Sequence, residues 1–494
     1  MTPNEIIMSQ KLADFRARNA ILKLPVGFVP KIPFMPHQTI GFWYGIKLPN
    51  TALLYEMGLG KSCIAINTCR YRIEQGQVSK VLVVCPKNVL YGWQDEIAKH
   101  SNLRSAVLYD TTREKKLERF KQDAEFYIIN FDGVAIFLDE LQQMQFDALI
   151  LDESTRIKNA KIVRTKSVFK LAEEIPYKMC LSGFPVTNSP MDIFTQMDVL
   201  DHGVFDNKNF WQWRSRYFKD VGAFFPNFVP RHGALEEIQR RVYTLGVRYE
   251  KKDCLKLPDK VFMNQYIELN AEQAEAYDRI ENKLTVHLGE KTVKISYVIT
   301  QILRLTQIES GFLKTDKIQD DEGETIDEGE IIDLGSTNPK IALLDELLDD
   351  LLYDDHKVVI WVRFIHSIQL IEALLKKKKI GYSLYHGAVK DSERKVAVSN
   401  FQTDANTKVF CGQVHSGGSG ITLTAGSDCI YFELTESVED YYQSQDRTHR
   451  IGSERWKSVN YYHFLRRGGI SEKTLEALQT KQSVAKLITE RKRV

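Results

Sequence analysis

Short, continuous apolar runs recur along this chain of 494 residues, and each is separated from the next by a glycine-bearing turn and a stretch with helical spacing. Continuous apolar runs are typical of strands covered by helices on both faces, and such strands form parallel sheets. The sequence therefore predicts two α/β domains, one in each half of the chain. The runs are residues 52–55, 81–85, 126–130, 148–152 and 178–182 in the first half, and 357–362, 382–386, 408–412 and 428–433 in the second.

Composition excludes several classes of protein. The 67 basic and 65 acidic side chains give a formal net charge of +2, as in an ordinary globular protein. No apolar run approaches the ~18 residues of a membrane-spanning helix, and the charged first twenty residues do not form a secretory signal. The seven cysteines include no CxxC pair, which argues against a disulfide framework or a zinc site. We expect a cytoplasmic protein that does not enter a membrane.

The chain divides by composition into five parts. An aromatic and basic stretch, FDNKNFWQWRSRYF, begins at Phe205, and nine acidic residues against one lysine lie between Asp316 and Asp333. The acidic run is typical of an exposed connection or hairpin. The predicted parts are an N-terminal lead-in (1–29), a first lobe (30–200), a helical protrusion (201–315), an acidic linker (316–337), and a second lobe with a basic C-terminal segment (338–494).

Two interpretations of the aromatic and basic stretch at 205–228 stay open. Aromatic side chains interleaved with arginines can stack on unpaired bases. More often, such aromatics form the core of a small helical protrusion, and we favour that interpretation.

The strongest local motif is TALLYEMGLGKS at residues 51–62, in which a strand runs into a glycine-bearing turn and then a helix. Glycines let backbone N–H groups wrap phosphate oxygens, and a helix N-terminus favours the negative charge. Lys61 is expected to reach the β- and γ-phosphates, and the Ser62 hydroxyl to bind Mg²⁺. The sequence therefore predicts a nucleotide phosphate site, whose cofactor-binding residues are Met57, Gly58, Leu59, Gly60, Lys61 and Ser62.

A second motif, ALILDESTRIKN at 148–159, ends an apolar strand in two carboxylates. A strand-end carboxylate beside a phosphate loop can hold Mg²⁺, partly through water, and its neighbour can polarise the attacking water. These roles are predicted for Asp152 and Glu153 respectively. Two solvated carboxylates at the end of a strand are the alternative.

A third motif, YYQSQDRTHRIGS at 441–453, places Arg447 and Arg450 three residues apart, on one face if the segment is helical. Guanidinium groups aimed at a γ-phosphate would complete a catalytic site as arginine fingers. A basic surface helix is the alternative. The three motifs together predict a two-lobed NTPase.

The chain resembles the Swi/Snf-type ATPases of helicase superfamily two, from about Phe34 to about Leu487. The resemblance is carried by FMPHQ (34–38), EMGLGKS (56–62), VVCPKNVLYGW (83–93), IINFD (128–132), DESTRIKN (152–159), LSGFPVTNS (181–189), YHGAVKDSER (385–394), HSGGSGITLTAGSDCIYFE (415–433) and QSQDRTHRIGS (443–453). The chain departs from the family pattern at Thr155, where histidine is usual, and at Phe184, where threonine is usual. Both motifs couple hydrolysis to movement in the family.

The resemblance implies two tandem RecA-like parallel-sheet lobes that close on ATP, with the helical protrusion inserted between them. It implies that Gln38 reads adenine and that Gly420 belongs to the nucleotide site. It also implies a stand-alone core motor of the bacterial or phage kind, with duplex or branched DNA as its partner and Lys87, Ser416 and Gly417 as candidate DNA contacts. Such contacts should be mostly to phosphates and independent of base sequence. The sequence identifies no protein partner.

The implied activity is that of a DNA-dependent ATPase that hydrolyses the β–γ phosphoanhydride bond of ATP and moves along double-stranded DNA. Remodelling of branched DNA or protein–DNA complexes, in replication, recombination or repair, would follow. A strand-separating helicase shares every one of these motifs. A DNA-binding switch that is gated by nucleotide and turns over slowly is a further alternative, kept open by Thr155 and Phe184.

Overall fold

A computed structural model of the protein describes residues 22–186, 189–206, 209–222, 228–286, 293–314, 318–319, 325–327, 330–353, 356–415 and 421–489. The chain divides into two compact units. It passes from the first to the second between Leu255 and Lys256, and from Lys481 onward it is grouped with the first unit again.

The first unit contains a parallel sheet of seven strands in the order β3-β4-β2-β5-β6-β1-β9. Its strands are β1 (Asn50–Tyr55), β2 (Val81–Cys85), β3 (Ser105–Val107), β4 (Phe126–Asn130), β5 (Ala148–Asp152), β6 (Tyr177–Leu181) and β9 (Gly246–Tyr249), with a separate hairpin of β7 (Phe218–Asp220) and β8 (Phe228–Pro230). Its helices are α1 (Pro36–Lys47), α2 (Lys61–Glu74), α3 (Leu90–His100), α4 (Arg113–Phe120), α5 (Phe131–Ile136), α6 (Leu138–Gln143), α7 (Val163–Ala172), α8 (Ile193–Asp198), α9 (Phe210–Tyr217), α10 (Ala234–Leu245) and α11 (Lys251–Cys254), with short 3₁₀ helices at Lys87–Val89, Ser154–Ile157 and Pro190–Asp192.

Both faces of this sheet are covered. Side chains alternate between the faces of a strand, so a strand buried on both sides is apolar throughout. In β2, Leu82 and Val84 belong to one core cluster, whereas Val81, Val83 and Cys85 belong to another. The continuous apolar runs of the sequence are therefore explained by helices packing on both faces.

The second unit contains a parallel sheet of six strands in the order β10-β19-β18-β15-β17-β16. The strands of this unit are β10 (Asp259–Ile267), β11 (Phe312–Lys314), β12 (Ile318–Gln319), β13 (Thr325–Asp327), β14 (Ile331–Asp333), β15 (Val358–Val362), β16 (Gly381–Tyr385), β17 (Thr407–Gln413), β18 (Asp428–Tyr431) and β19 (Ser458–Arg466). The remaining helices are α12 (Ala271–Val286), α13 (Val293–Glu309), α14 (Pro339–Tyr353), α15 (Ile365–Lys378), α16 (Asp391–Thr403), α17 (Val438–Thr448) and α18 (Ile470–Thr489).

Two parallel sheets with helices confirm the predicted fold class. The division between the units differs from the position that the sequence suggested. The sequence placed the connection at the acidic run 316–337, whereas the chain passes from the first unit to the second between Leu255 and Lys256. The segment 201–315, predicted as one helical protrusion, supplies β9 to the first sheet and β10 to the second.

Among the residues that the structure describes, no helix is both long and apolar enough to cross a membrane.

Candidate nucleotide-binding site

The loop between β1 and α2, predicted to bind phosphate, contains two glycines in the left-handed region. Gly58 and Gly60 have φ values of +81° and +83°, a region that L side chains rarely adopt. The positive φ at Gly60 ends the loop, and α2 begins at Lys61. The glycines that the sequence singled out are therefore required by the turn itself, and the turn delivers the chain to a helix N-terminus, where N–H groups have no intrahelical acceptor.

Lys61 is buried next to this loop, with only 9% of its surface exposed. Its Nζ donates a hydrogen bond of 3.0 Å to the carbonyl oxygen of Tyr55 at the end of β1. The strand β6 lies beside β1, and a Cβ on Gly183, just after β6, would be 3.6 Å from Lys61 Nζ and 3.2 Å from Met57 Cγ. The loop after β6 therefore lies against the phosphate loop.

Asp152 ends β5, the strand on the other side of β6. Its Oδ2 accepts a hydrogen bond of 2.8 Å from Trp93 Nε1, and its Oδ1 accepts one of 3.1 Å from the Glu153 backbone N–H. Burial raises the pKa of Asp152, and the hydrogen bond from Trp93 and the charge of Lys61 oppose this shift. Lys61 and Asp152, which are 91 positions apart in the sequence, thus lie close enough for the charge of Lys61 to act on Asp152.

Glu153 has a φ of +50°, in the left-handed region that is uncommon for residues other than glycine. The strained position lies at the point where β5 ends and the 3₁₀ helix Ser154–Ile157 begins. Such strain persists only where the surrounding structure enforces it, and it is concentrated at functional sites.

The donors available for Mg²⁺ are oxygens, which is the ligand type that this ion prefers. Ser62 follows Lys61 in the first turn of α2, and Asp152 is a carboxylate whose negative charge is destabilised by burial. A divalent cation would offset that desolvation, so the residues present fit the ion.

Gln38 lies directly over the phosphate loop. Its Oε1 accepts a hydrogen bond of 3.0 Å from the Met35 backbone N–H at the start of α1, and its Nε2 donates one of 3.3 Å to the Leu59 carbonyl oxygen. His37 Nε2 is 3.1 Å from the same oxygen. The first turn of α1 is therefore tied to the loop. The role of Gln38 toward adenine remains a prediction.

The predicted arginines belong to the second unit. Arg447 lies in the last turn of α17 and is buried, and its carbonyl oxygen accepts a hydrogen bond of 2.8 Å from the Leu423 N–H. Arg450 lies beyond the end of this helix at Thr448, so Arg447 and Arg450 do not share a helical face. The Nη1 of Arg450 donates a hydrogen bond of 3.4 Å to the Ile421 carbonyl oxygen. Three other predicted residues, Gly420, Ser416 and Gly417, lie outside the described residues.

Lys87, the remaining predicted DNA contact, is exposed just after β2. Its Nζ lies 5.1 Å from the centre of the Tyr109 ring, and Lys116 Nζ lies at the same distance from that ring. Within the described parts of the chain, neither ammonium group forms an ion pair with a carboxylate. Because β2 and β3 are parallel to β1 and β5, this lysine pair lies at the same edge of the sheet as the phosphate loop and Asp152.

The aromatic stretch forms mainly a core, as we favoured. Phe205, Trp213, Tyr217 and Phe218 are buried in the first unit. Among the aromatic residues of this stretch that the structure describes, Trp211 is exposed, with 48% of its surface accessible. The Nζ of Lys161 lies 4.8 Å from the Trp211 ring centre, and the Arg214 guanidinium carbon lies 4.6 Å from it.

Two supports of the site were not assigned a role from the sequence. Trp93 was noted only as part of a motif, yet it donates to Asp152. Glu56 lies at the start of the loop, and its Oε2 accepts a hydrogen bond of 2.7 Å from the Lys251 backbone N–H. The backbone N–H of Glu56 donates a hydrogen bond of 3.0 Å to the Tyr249 carbonyl oxygen. The contact with the segment after β9 had no signal in the sequence, because its partners are about 195 positions apart.

Two protein-family models match this chain. The SNF2-related domain matches residues 43–314, which is more than half of the chain, and the helicase conserved C-terminal domain matches residues 339–452. These matches confirm the resemblance that the motifs carry and the helicase-family enzyme class that it implies.

Curated relatives are similar over most of this chain. A chromodomain-helicase-DNA-binding protein 1-like protein of Mus musculus is 25% identical over 446 residues, which cover 88% of this chain and 47% of that protein. An uncharacterized ATP-dependent helicase of Mycoplasma genitalium is 24% identical over 438 residues, which cover 87% of this chain and 39% of that protein. The chain thus spans less than half the length of these two relatives.

Among solved structures, a Sulfolobus solfataricus SWI2/SNF2 ATPase core in complex with dsDNA is 22% identical, with 94% of each chain covered and a TM-score of 0.45. Membership rests on the domain match at residues 43–314. By that match, the chain belongs to the SNF2-related family.

Proposed function

We propose that this protein is a DNA-dependent ATPase that couples hydrolysis of ATP to movement along double-stranded DNA inside the cell. Remodelling of branched DNA or of protein–DNA complexes, in replication, recombination or repair, is the proposed use of that movement. The observation that carries the proposal is the cluster at one edge of the first sheet, where Lys61 follows β1, and Asp152 and Glu153 lie at the end of β5, with β6 between the two strands.

The cluster supplies the parts that phosphoryl transfer to water requires. The N–H groups of the phosphate loop and the Lys61 ammonium bind the β- and γ-phosphates. Glu153 accepts a proton from the attacking water while the water oxygen bonds to the γ-phosphorus and the bond to the β–γ bridging oxygen breaks. Gln38 is proposed to contact the adenine. Arg447 and Arg450 are proposed to stabilise the charge that develops on the γ-phosphate.

Ser62 and Asp152 would hold Mg²⁺, Asp152 partly through water. When bound, the ion neutralises charge on the β- and γ-phosphate oxygens.

The lysine pair at Lys87 and Lys116 supports DNA as the partner. Two ammonium groups that have no carboxylate partner among the described residues, one of them exposed, beside a proposed motor site, are suited to phosphodiester groups. Contacts of this kind give affinity without reading base sequence, which a motor that steps along DNA requires. Ser416 and Gly417 are proposed as further phosphate contacts from the motif alone.

The experiment that tests the proposal is steady-state ATP hydrolysis by the full chain without DNA, and with single-stranded, duplex or branched DNA. Lys61→Ala should weaken ATP binding and abolish turnover, because the phosphates lose their cation. Lys47→Ala, at an exposed lysine in α1 that contacts Trp43, is the matched control and should retain turnover.

The outcomes distinguish the candidates. Strong stimulation by duplex or branched DNA supports the double-strand motor. Stimulation by single strands alone contradicts it and favours a strand-separating helicase. Slow turnover that no DNA stimulates contradicts both and favours the nucleotide-gated switch.

A further inference from the structure

One buried side chain connects the two loops on which the proposed ATP site depends. Gln196 in α8 has none of its surface exposed. Its Oε1 accepts a hydrogen bond of 2.7 Å from Ser154 Oγ. Its Nε2 donates two hydrogen bonds, one of 2.6 Å to the Pro185 carbonyl oxygen and one of 2.7 Å to the Asp192 carbonyl oxygen. Gln196 thereby uses both ends of its amide on different segments of the chain.

The two segments are those next to the reacting groups. Ser154 directly follows Glu153, whose φ of +50° sets the direction in which the chain leaves β5. Pro185 lies two residues beyond Gly183, and a Cβ on Gly183 would contact Lys61 Nζ and Met57. The amide of Gln196 thus joins the turn that carries Glu153 to the loop that packs against Lys61.

The backbone of Gln196 adds a further attachment, because its carbonyl oxygen accepts a hydrogen bond of 3.4 Å from Cys180 Sγ in β6. Ser154 and Gln196 are both fully buried, so water cannot replace a bond that is lost. The connection is therefore fixed at both ends.

We propose that Gln196 is a positioning residue that acts through Ser154: it holds the Glu153 turn in register with the 182–186 loop, so that the two move as one body. The inference deepens the proposed function and rests on it for its effect on turnover. A residue that only filled the core would not transmit a change at Ser154 to the loop beyond Gln196.

The first test uses hydrogen exchange of the full chain and needs no activity. Ser154→Ala removes one hydroxyl and leaves the Gln196 bonds to Pro185 and Asp192 in place. We expect faster amide exchange in residues 182–186 as well as in 153–158. Met197→Leu, at the next buried position of the same helix, is the matched control and should leave both segments as in the parent protein. Unchanged exchange at 182–186 in Ser154→Ala would overturn the inference.

The second test is a double-mutant cycle on DNA-stimulated ATP turnover. Ser154→Ala and Gln196→Leu should each lower kcat by about tenfold or more, with KM for ATP within about twofold, since a small misplacement of a reacting group lowers rate strongly. The double variant should lose no more than Gln196→Leu alone, because both changes break one connection. Multiplicative losses would contradict the inference. Absence of turnover in the parent protein would contradict the proposed function, whereas the exchange test would still decide on Gln196.

Discussion

The side chain of Gln38 lies so close over Gly60 that a Cβ at position 60 would clash with Gln38 Nε2. Glycine is therefore required at position 60 for two reasons: the φ of +83°, and the lack of space for a side chain beside Gln38. Because Gln38 forms hydrogen bonds to both Met35 and Leu59, it links the start of α1 directly to the loop between β1 and α2.

Gly60→Ala should lower ATP affinity at least tenfold, because the new methyl group displaces Gln38 and strains the loop. Gly76→Ala is the matched control, since Gly76 also has a positive φ of +68° but no atom within 4 Å of its Cβ position. Both variants should lose about 1 kcal/mol of unfolding free energy to backbone strain. Nucleotide titration should show a change in affinity only for Gly60→Ala, and equal affinities in the two variants would contradict the role of Gln38.

Glu153→Gln should retain ATP binding and lose turnover by a factor on the order of 10² to 10⁴, because an amide cannot accept the proton of the attacking water. ATP binding and single-turnover hydrolysis measure the two effects separately. Glu173→Gln, at an exposed position after α7, should behave as the parent protein. Normal hydrolysis in Glu153→Gln would show that another group is the base.

Arg450→Ala should lower turnover by a factor on the order of 10³, the low end of the effect of losing an arginine finger. Arg467→Ala changes an exposed arginine of the same unit that lies over the Tyr266 ring, and it should leave turnover unchanged. Steady-state kinetics with saturating DNA is the measurement. Equal rates for Arg450→Ala and the parent protein would remove Arg450 from the proposed site.

Lys87→Ala and Lys116→Ala should each weaken DNA binding equally for all base sequences and reduce the slope of log K against log salt by about one. The reason is that each variant releases one fewer counterion from the phosphates. Lys121→Ala, whose ammonium is paired with Glu118, should change the slope little. Binding titrations at several salt concentrations give the slopes, and a slope unchanged in Lys87→Ala would exclude that contact.

His463 should make the stability of the second unit depend on pH. Burial between Tyr431 and Phe262 lowers the pKa of His463 to about 4, whereas the unfolded chain keeps a pKa near 6.5. Because the unfolded form binds the proton first, stability present at pH 7 is lost as the pH falls from about 6.5 to about 4. The loss is on the order of 3 kcal/mol.

Hydrogen exchange of β18 and β19 at pH 7 and pH 5 measures this effect. His463→Phe should remove most of the pH dependence, whereas His415→Gln, at a histidine whose side chain is 85% exposed, should retain it. The same pH dependence in His463→Phe would assign it to another group.

The sequence by itself determined the elements whose causes are local. An apolar run covered on both faces is visible in the residues themselves, so the strands of Val81–Cys85 and Val358–Val362 could be predicted within a residue. The glycine turn between β1 and α2 could be predicted for the same reason, because its positive φ values need glycines that are visible in the sequence. The strand-end position of Asp152 followed from the run before it.

Only the tertiary structure decided which residues support the site. The strand β10 contains Asp259, Lys260 and Asn264, and β19 contains Asn460 and His463, so neither forms a continuous apolar run in the sequence. They form strands by pairing with each other across about 200 positions. The same holds for the bond from Trp93 to Asp152 and for the bonds of Gln196. Their geometry is set by the order of strands in the sheet, and hydrogen bonds between distant segments leave no periodic pattern in the sequence.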